Sequence, residues 1–436
     1  MRGNAPLKAA LVLTSVALLA AGCSSDSSSS SGGGQTAADD KTITIETSMD
    51  QPVIDGLKKA MEPMAQEAGI TVTWSKVDNI NQLIFTQVQA NSAPDIALIP
   101  QPGVIGTLVQ RNAVVPLNDV VDMASLQSSM VPGTLESTTF NDKLYGLLAS
   151  MNVKSLVWYN KKAWDPSWPV PKSIDELNTL TDTIKAAGKT PWCLGIESGT
   201  ATGWPATDWF EDLVMRYGGA DEYNKWVAGE VKFNSDLVKQ AAAEFEKIAF
   251  TDGNVLGGRK SIASNNFGTA GNPMFKSDPG CYMYKMGNFI TGFFPKAIQA
   301  DLGANVGAFY FPAATADGEK PLLGGGDSAA LFVDTESGRK VMNMLASLEI
   351  GYDAAGTSSY ISPHKTFPLD KYTDPAKKIA AGIAYESDKF LFDGSDAMPS
   401  QVGAGSFWKE MTAWINGSED LDTALTNIDN SWPTSS

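Results

Sequence analysis

The chain has 436 residues, 43% hydrophobic and 9% aromatic, and a formal charge of -16. That length exceeds what one hydrophobic core usually organises, so two lobes are expected; the acidity leaves no basic stripe for nucleic-acid phosphates and serves solubility. The one histidine, His364, excludes a multi-histidine metal site and any Ser-His-Asp or Cys-His pair that does not use it.

Arg2 and Lys8 precede an apolar run from Ala9 to Ala21. The run is short for a membrane span and suits the hydrophobic part of a signal peptide. It ends at Leu19-Ala20-Ala21-Gly22-Cys23, which resembles a bacterial lipoprotein signal whose cysteine is lipidated. Ala20 departs from the leucine that this signal prefers three residues before the cysteine. Residues 1–22 are expected to be a signal peptide, with Cys23 as the lipidation site. Residues 23–40, rich in Ser and Gly, are expected to be a flexible tether, since such a tract buries no apolar surface.

Beyond Thr42, strands and helices alternate. Ile43–Ser48 alternates like a strand; Leu57, Ala60, Met61, Met64 and Ala68 mark a helix closed by Gly69; Ile70–Trp74 is a second strand. A helix over 79–91 and a third strand, Asp95–Ile99, lead to a loop at Pro100–Gly103. Alternation of this kind predicts a largely parallel sheet covered on both faces, with ligands beyond the carboxyl ends of its strands. The loops holding Asp50 and Gln51, and Gln101, then face one edge.

Tyr145–Asn160 begins with small and polar residues and ends in Leu156, Val157, Trp158 and Tyr159. This reads as a crossover strand leaving one core for another, a place where small ligands bind; an ordinary core strand is the alternative. Ser173 and Glu176 form a capping box ahead of an apolar helical stripe. Pro191–Ile196 and Val306–Phe311 read as strands, Gly280–Phe294 as a strand entering a glycine-aromatic turn, and Ser235–Phe250 as a helix. Pro321–Val333 repeats the small, polar middle of Tyr145–Asn160 and reads as a second crossover. Helices are expected over 335–348 and 404–415, with a short last helix near Leu421–Ile428.

Behind a signal peptide, the two cysteines left after lipidation, Cys193 and Cys281, should pair; two separate buried thiols are the alternative. Trp204, on a turn between Gly203 and Pro205, and Trp408 can offer flat apolar faces to a sugar ring; core packing is the competing role, and Trp158 and Trp209 read as core. Asp50, Asp208 and Asp327 lie at loop edges, where carboxylates accept hydroxyl hydrogen bonds or cap helices. For Asp208 the two roles stay open; at Asp327, after Gly324-Gly325-Gly326, binding is favoured. The glycines are not a phosphate loop, because the Lys-Ser/Thr pair is missing. His364 reads as a surface residue.

The order of these pieces resembles the extracellular solute-binding proteins of bacterial ABC sugar importers over residues 42–432. The likeness rests on Ala93-Pro94-Asp95-Ile96, Tyr145-Gly146 through Asn160-Lys161, Pro171-Lys172-Ser173, Gly203-Trp204-Pro205, Gly287-Asn288-Phe289, Gly324 to Asp327, and Met398-Pro399 with Ser406-Phe407-Trp408. The cysteine pair and the GWPATDW stretch resemble the alpha-glucoside branch. The resemblance implies an α/β, two-lobe, type II periplasmic-binding-protein-like fold: residues 41–151 plus 325–358 as lobe 1, and 152–324 plus 359–436 as lobe 2. It implies a monomeric carbohydrate-binding subunit that closes on its ligand, works with an importer's transmembrane subunits and sits on the outer membrane face by its lipid. No cofactor, metal or nucleic acid is implied. It places ligand contacts on Asp50, Gln51, Gln101, Asn152, Trp204, Gly287, Asn288, Gly326, Asp327 and Trp408, and Asp208 joins them from the residue reading. Ile99 and Val153 stand where maltose-binding relatives carry an aromatic and a Glu, so recognition of that style is not expected. A secreted glycoside hydrolase, whose two carboxylates would face each other across a sugar, and a peptide-binding or adhesive lipoprotein are the alternative classes.

Overall fold

A computed structural model describes residues 41–357 and 359–433. The leader, Cys23 and the tether lie outside them. The first half builds strands β1 (Thr42–Thr47), β2 (Thr71–Lys76) and β3 (Ile96–Ile99) around helices α1 (Gln51–Ala68), α2 (Ile80–Gln89) and α3 (Pro102–Gln110). β1 alternates as its sequence suggests, with Ile43, Ile45 and Thr47 buried, whereas β3 is buried at every residue. α1 turns Val53, Ile54, Leu57, Met61 and Ala65 inward and ends at Gly69, whose φ of 65° a glycine adopts without steric cost. The stretch read as a loop after β3 opens α3: Pro102 sits in its first turn, where the missing N–H costs nothing. β1 pairs in parallel with β2 and β3.

Helix α4 (Met123–Ser129) and a hairpin of β4 (Thr139–Phe140) and β5 (Lys143–Leu144) precede β6 (Leu147–Val153) and β7 (Leu156–Asn160). The second lobe adds α5 (Ile174–Ala186), α6 (Trp204–Val227), α7 (Asp236–Ala249), β8 (Met283–Lys285) and β9 (Val306–Tyr310); β10 (Pro321–Leu331) and β11 (Lys389–Phe392) return to the first sheet. β10 carries β6 antiparallel along one edge, and its other edge is shared by β3 and β11. β7 lies between β8 and β9 in a separate three-stranded sheet. Tyr145–Asn160 therefore does pass from one sheet to another, and it breaks at Lys154 and Ser155.

Pro321–Val333 is different. β10 belongs throughout to the first sheet, so the second passage between sheets runs through 311–320. Its glycines answer another need. Gly326 has φ 150°, and a Cβ there would overlap the Ser150 carbonyl oxygen of β6. The residues are small because two backbones meet, not because the chain leaves a core.

In the second lobe the serine half of the capping box forms, Ser173 Oγ accepting the Glu176 N–H, while the Glu176 carboxylate accepts the N–H of Lys172, one residue before the cap. Trp158 and Trp209 are core as expected, and Trp209 packs edge-on to Trp192, Phe245 and Phe311. Pro191–Ile196 forms single bridges at Trp192 rather than a strand. The Cys193–Cys281 disulfide is present. α6 holds a break at Gly219, with φ 74°. The helix expected over 404–415 starts as a wide π turn, Gln401–Phe407, and continues as Trp408–Asn416. His364 is buried, not on the surface; its Nδ1 lies 3.1 Å from Ser129 Oγ and burial lowers its pKa.

The disulfide closes a loop of 88 residues, which on chain-entropy grounds constrains the unfolded chain by about 4 kcal/mol. Replacing both cysteines with serine is expected to lower the free energy of unfolding by roughly 2–4 kcal/mol. Denaturant titration of that variant beside the oxidised parent checks this; equal midpoints would contradict it.

Candidate functional site

Because β1 and β3 are parallel, the residues after them emerge at one edge of the first sheet. β10 extends past that edge: Ser328 pairs with Ile99, so Gly326 and Asp327 stand beyond β3, facing Met151 and Ser150 of β6. Asn152 pairs with Gly325 one step further. Asp50, exposed at the start of α1, makes no capping bond and accepts Ser359 Oγ at 3.4 Å. Gln51 Nε2 donates to Asp55 Oδ1 of its own helix at 2.8 Å. Gln101 reaches across, its Nε2 donating to Asp396 Oδ1 at 2.9 Å. Asp327, half-buried, has its carboxyl pushed up to about 7 by burial and by the negative charge of Asp50.

The centre of the region is Lys154. Its ammonium lies at the break between β6 and β7, donates to Asp208 Oδ1 at 3.0 Å and to Asp393 Oδ2, and sits 5.2 Å from the centroid of the Trp204 ring. α6 places Asp208, Glu211 and Asp212 on one face by its three- and four-residue spacing. Asp212 binds Ser155 Oγ, Arg216 and Lys285, each at 2.6 Å. Asp393 Oδ1 accepts the Ser395 hydroxyl at 2.7 Å and the Asp396 N–H at 2.9 Å, which caps the turn Gly394–Ala397. Glu211 Oε1 accepts the Ser395 N–H at 3.1 Å.

These groups divide the charge unequally. Burial alone would raise Asp393, but the Lys154 ammonium and three hydrogen bonds hold it below its ordinary value. Burial opposes the Lys154 charge, yet the Asp208 and Asp393 carboxylates keep its pKa well above the usual range. Asp208 is pushed up to about 7, first by burial, against the pull of Lys154. Asp396 also rises to about 7, by burial and the Asp393 charge. Burial and the same neighbours raise Glu211 well above its usual value, and its Oε2 has no hydrogen-bond partner. Among the described residues, Asp208, Glu211 and Asp393 form a carboxylate group close enough to hold a metal ion. The Lys154 ammonium already binds two of the three.

Two tryptophans flank this charge. Trp204 opens α6, half-buried, with its indole N–H on Ser198 Oγ at 3.1 Å and its ring against Phe267 and Phe289. Gly203, at φ 115°, lets the start of α6 touch the Trp408 backbone, because a Cβ there would overlap the Trp408 carbonyl oxygen. Trp408 is half-buried and donates its indole N–H to Ser395 Oγ at 3.1 Å. Asn288 is buried and its amide is taken by backbone: Oδ1 accepts the Val153 N–H at 2.8 Å, and Nδ2 donates to the Ser359 carbonyl at 3.4 Å. Gly287 is buried beside the Phe289 ring.

The structure thus ties Gln101, Trp204, Asp208 and Trp408 to the Lys154–Asp393 cluster; Asn152, Gly326 and Asp327 lie where β6 pairs with β10, Asp50 stands at the start of α1, Gln51 is turned along α1, and Asn288 binds the backbone at Val153 and Ser359. Asp208 does not cap α6; its carboxylate is bound to Lys154. Sequence reading missed Lys154, Glu211, Asp393, Ser395 and Asp396. The Asp393-Gly394-Ser395-Asp396 spacing, an N-cap pattern, was the one signal present.

Two α/β lobes joined by crossing segments, with aromatic and polar side chains gathered at the junction, define a two-lobed ligand-capturing protein. The same fold occurs in a bacterial solute receptor, AcbH (TM-score 0.75, 16% identity, covering 89% of this chain and 98% of that one), and in a chitin oligosaccharide binding protein (TM-score 0.71, 18% identity, 89% and 97%). Residues 51–350 match the family of bacterial extracellular solute-binding proteins, and the chain belongs to that family. It is 34% identical over 396 residues to the osmoprotective compounds-binding protein GgtB of Synechocystis sp., covering 91% of this chain and 93% of that protein. It is 35% identical over 377 residues to the alpha-glucosides-binding periplasmic protein AglE of Rhizobium meliloti, covering 84% and 81%.

Three carboxyls near 7 give stability a pH dependence of known sign. In the folded chain Asp208, Asp327 and Asp396 keep protons that the unfolded chain, with its ordinary value of 3.8, has lost. Their contribution is fully present below about pH 4 and is lost as pH rises through about 7; Asp393, held low, acts oppositely in acid. Urea unfolding should therefore show stability falling between about pH 4 and 7, with a shallower fall in Asp327→Asn. An identical slope in that variant would remove Asp327 from the account.

Proposed function

We propose that this chain is the carbohydrate-binding subunit of an ABC importer, holding a small glucoside or oligosaccharide between its lobes. The observation that carries the reading is the placement of Trp204 and Trp408 beside a carboxylate-rich junction where two sheets meet. Indole faces suit the apolar faces of a pyranose, and carboxylates and amides suit its hydroxyls. The names of GgtB, AglE and the oligosaccharide-binding neighbours support the same ligand class.

In this reading lobe 1 comprises residues 41–151 and 325–358, and lobe 2 comprises 152–324 and 359–436. Asp50, Gln51, Gln101, Asn152, Gly326 and Asp327 meet the sugar from the first lobe and the crossings. Trp204, Asp208, Gly287, Asn288 and Trp408 meet it from the second. A sugar that touches both lobes only when they are closed shifts the open–closed population by its differential affinity. The transmembrane subunits then read the closed form. The protein works as a monomer, tethered outside the membrane by lipid on Cys23, and makes or breaks no bond in its ligand. Among the described residues no helix is long and apolar enough to cross a membrane.

A thermal-shift panel containing sucrose, trehalose and maltose tests the ligand class. Stabilisation with the sugar recovered intact supports binding; released reducing ends from a non-reducing sugar would indicate a hydrolase, and stabilisation by peptides alone would indicate another class. Trp204→Ala and Trp408→Ala should each weaken the tightest sugar about tenfold or more, roughly 1.4 kcal/mol, while remaining folded by circular dichroism. Undiminished affinity in both would overturn the aromatic assignment.

A further inference from the structure

The two tryptophans, distant in sequence, are tied to one cation. Lys154 Nζ stands over the Trp204 ring at 5.2 Å. On its other side it binds the Asp393 carboxylate, whose second oxygen accepts the Ser395 hydroxyl at 2.7 Å. Ser395 Oγ in turn accepts the Trp408 indole N–H at 3.1 Å, while the Thr207 hydroxyl, 3.4 Å from Ser395 Oγ, gives its proton to the Trp204 carbonyl at 3.0 Å. A hydroxyl has one proton to give; that of Ser395 goes to Asp393, which leaves its oxygen to accept the Trp408 indole N–H. We propose that Lys154 and Ser395 are positioning residues for ligand binding: Lys154 holds the Asp393–Ser395 turn and Trp204 in register, and Ser395 fixes the orientation of the Trp408 ring through its N–H. The proposal rests on the reading that these tryptophans contact the ligand.

The geometry has consequences for specificity. With the indole N–H groups of Trp204 and Trp408 committed to Ser198 and Ser395, both rings offer faces rather than donors. The ammonium covers part of one face of Trp204, so a guest stacks on the remaining surface. The side chain of Lys154 is 9% exposed and paired with two carboxylates. It therefore acts on the guest through the rings it sets, not as a free cation.

The test compares Ser395→Ala in two backgrounds, with sucrose, trehalose and maltose as probes in titration calorimetry. In the parent chain Ser395→Ala should weaken the tightest of these sugars at least fivefold. In the Trp408→Phe background, where no indole N–H exists, the same change should cost less than twofold. Equal losses in both backgrounds, or no loss in the parent, would overturn the proposal. Near-ultraviolet circular dichroism without sugar gives an independent readout. The difference caused by Ser395→Ala should vanish in Trp408→Phe, and its persistence there would also overturn the positioning role. Lys154→Met should reduce affinity in the parent and less in Trp204→Phe; if that variant does not fold, the Ser395 pair still decides. Should none of the three sugars bind the parent chain, the ligand reading fails while the dichroism still tests the positioning.

Discussion

The structure depends on one buried ammonium. Lys154 occupies the two-residue step between β6 and β7, where the chain passes from one sheet to the other, and its charge is met by Asp208 of α6 and by Asp393, which follows β11. Removing an ion from water costs several kcal/mol, and attraction to a partner repays this only with good geometry and further hydrogen bonds. Here the partners are themselves bonded: Asp393 to Ser395 and Asp396, and Asp208 through its carbonyl to Lys285. The ion pair therefore fixes the relative placement of the crossing segment, of α6 and of the end of β11 in the first sheet.

The same charge balance explains the protonation pattern. Five acids, Asp208, Glu211, Asp212, Asp393 and Asp396, share this buried region with Lys154, Lys285 and Arg216. Carboxylates in excess of cations cannot all ionise away from water. Asp208 and Asp393 share Lys154, Asp212 binds Lys285 and Arg216, Glu211 is left with an unpartnered oxygen, and burial pushes Asp208 and Asp396 up.

Close backbone approach is the second constraint. Gly326 lets β10 pass beside Ser150, and Gly203 lets α6 start against Trp408. Asn288 closes the arrangement by binding the backbone at Val153 of the crossing segment and at Ser359. Side chains proposed to meet a ligand thus share a framework with side chains that only hold backbones in place. Asn288 belongs to that framework through bonds visible in the structure, whatever it also offers a guest.

Much of the fold was written in local pattern. The alternation of Ile43 and Ile45, the stripe of α1 ended by Gly69, and the Ser173–Glu176 box each follow from short-range sterics and hydrogen bonding, so the sequence by itself determined them. The passage at Tyr145–Asn160 and the Cys193–Cys281 pairing were favoured by the sequence over a core strand and separate thiols, and both are present. What only the tertiary structure decided was who meets whom across long separations. Lys154, Asp208, Asp393 and Ser395 carry no common spacing, and Pro321–Val333 has the composition of a crossover yet lies in one sheet. His364 looked like a surface residue and is buried against Ser129. Burial and charge pairing arise from folding segments far apart in the chain onto one another, and no local periodicity encodes that.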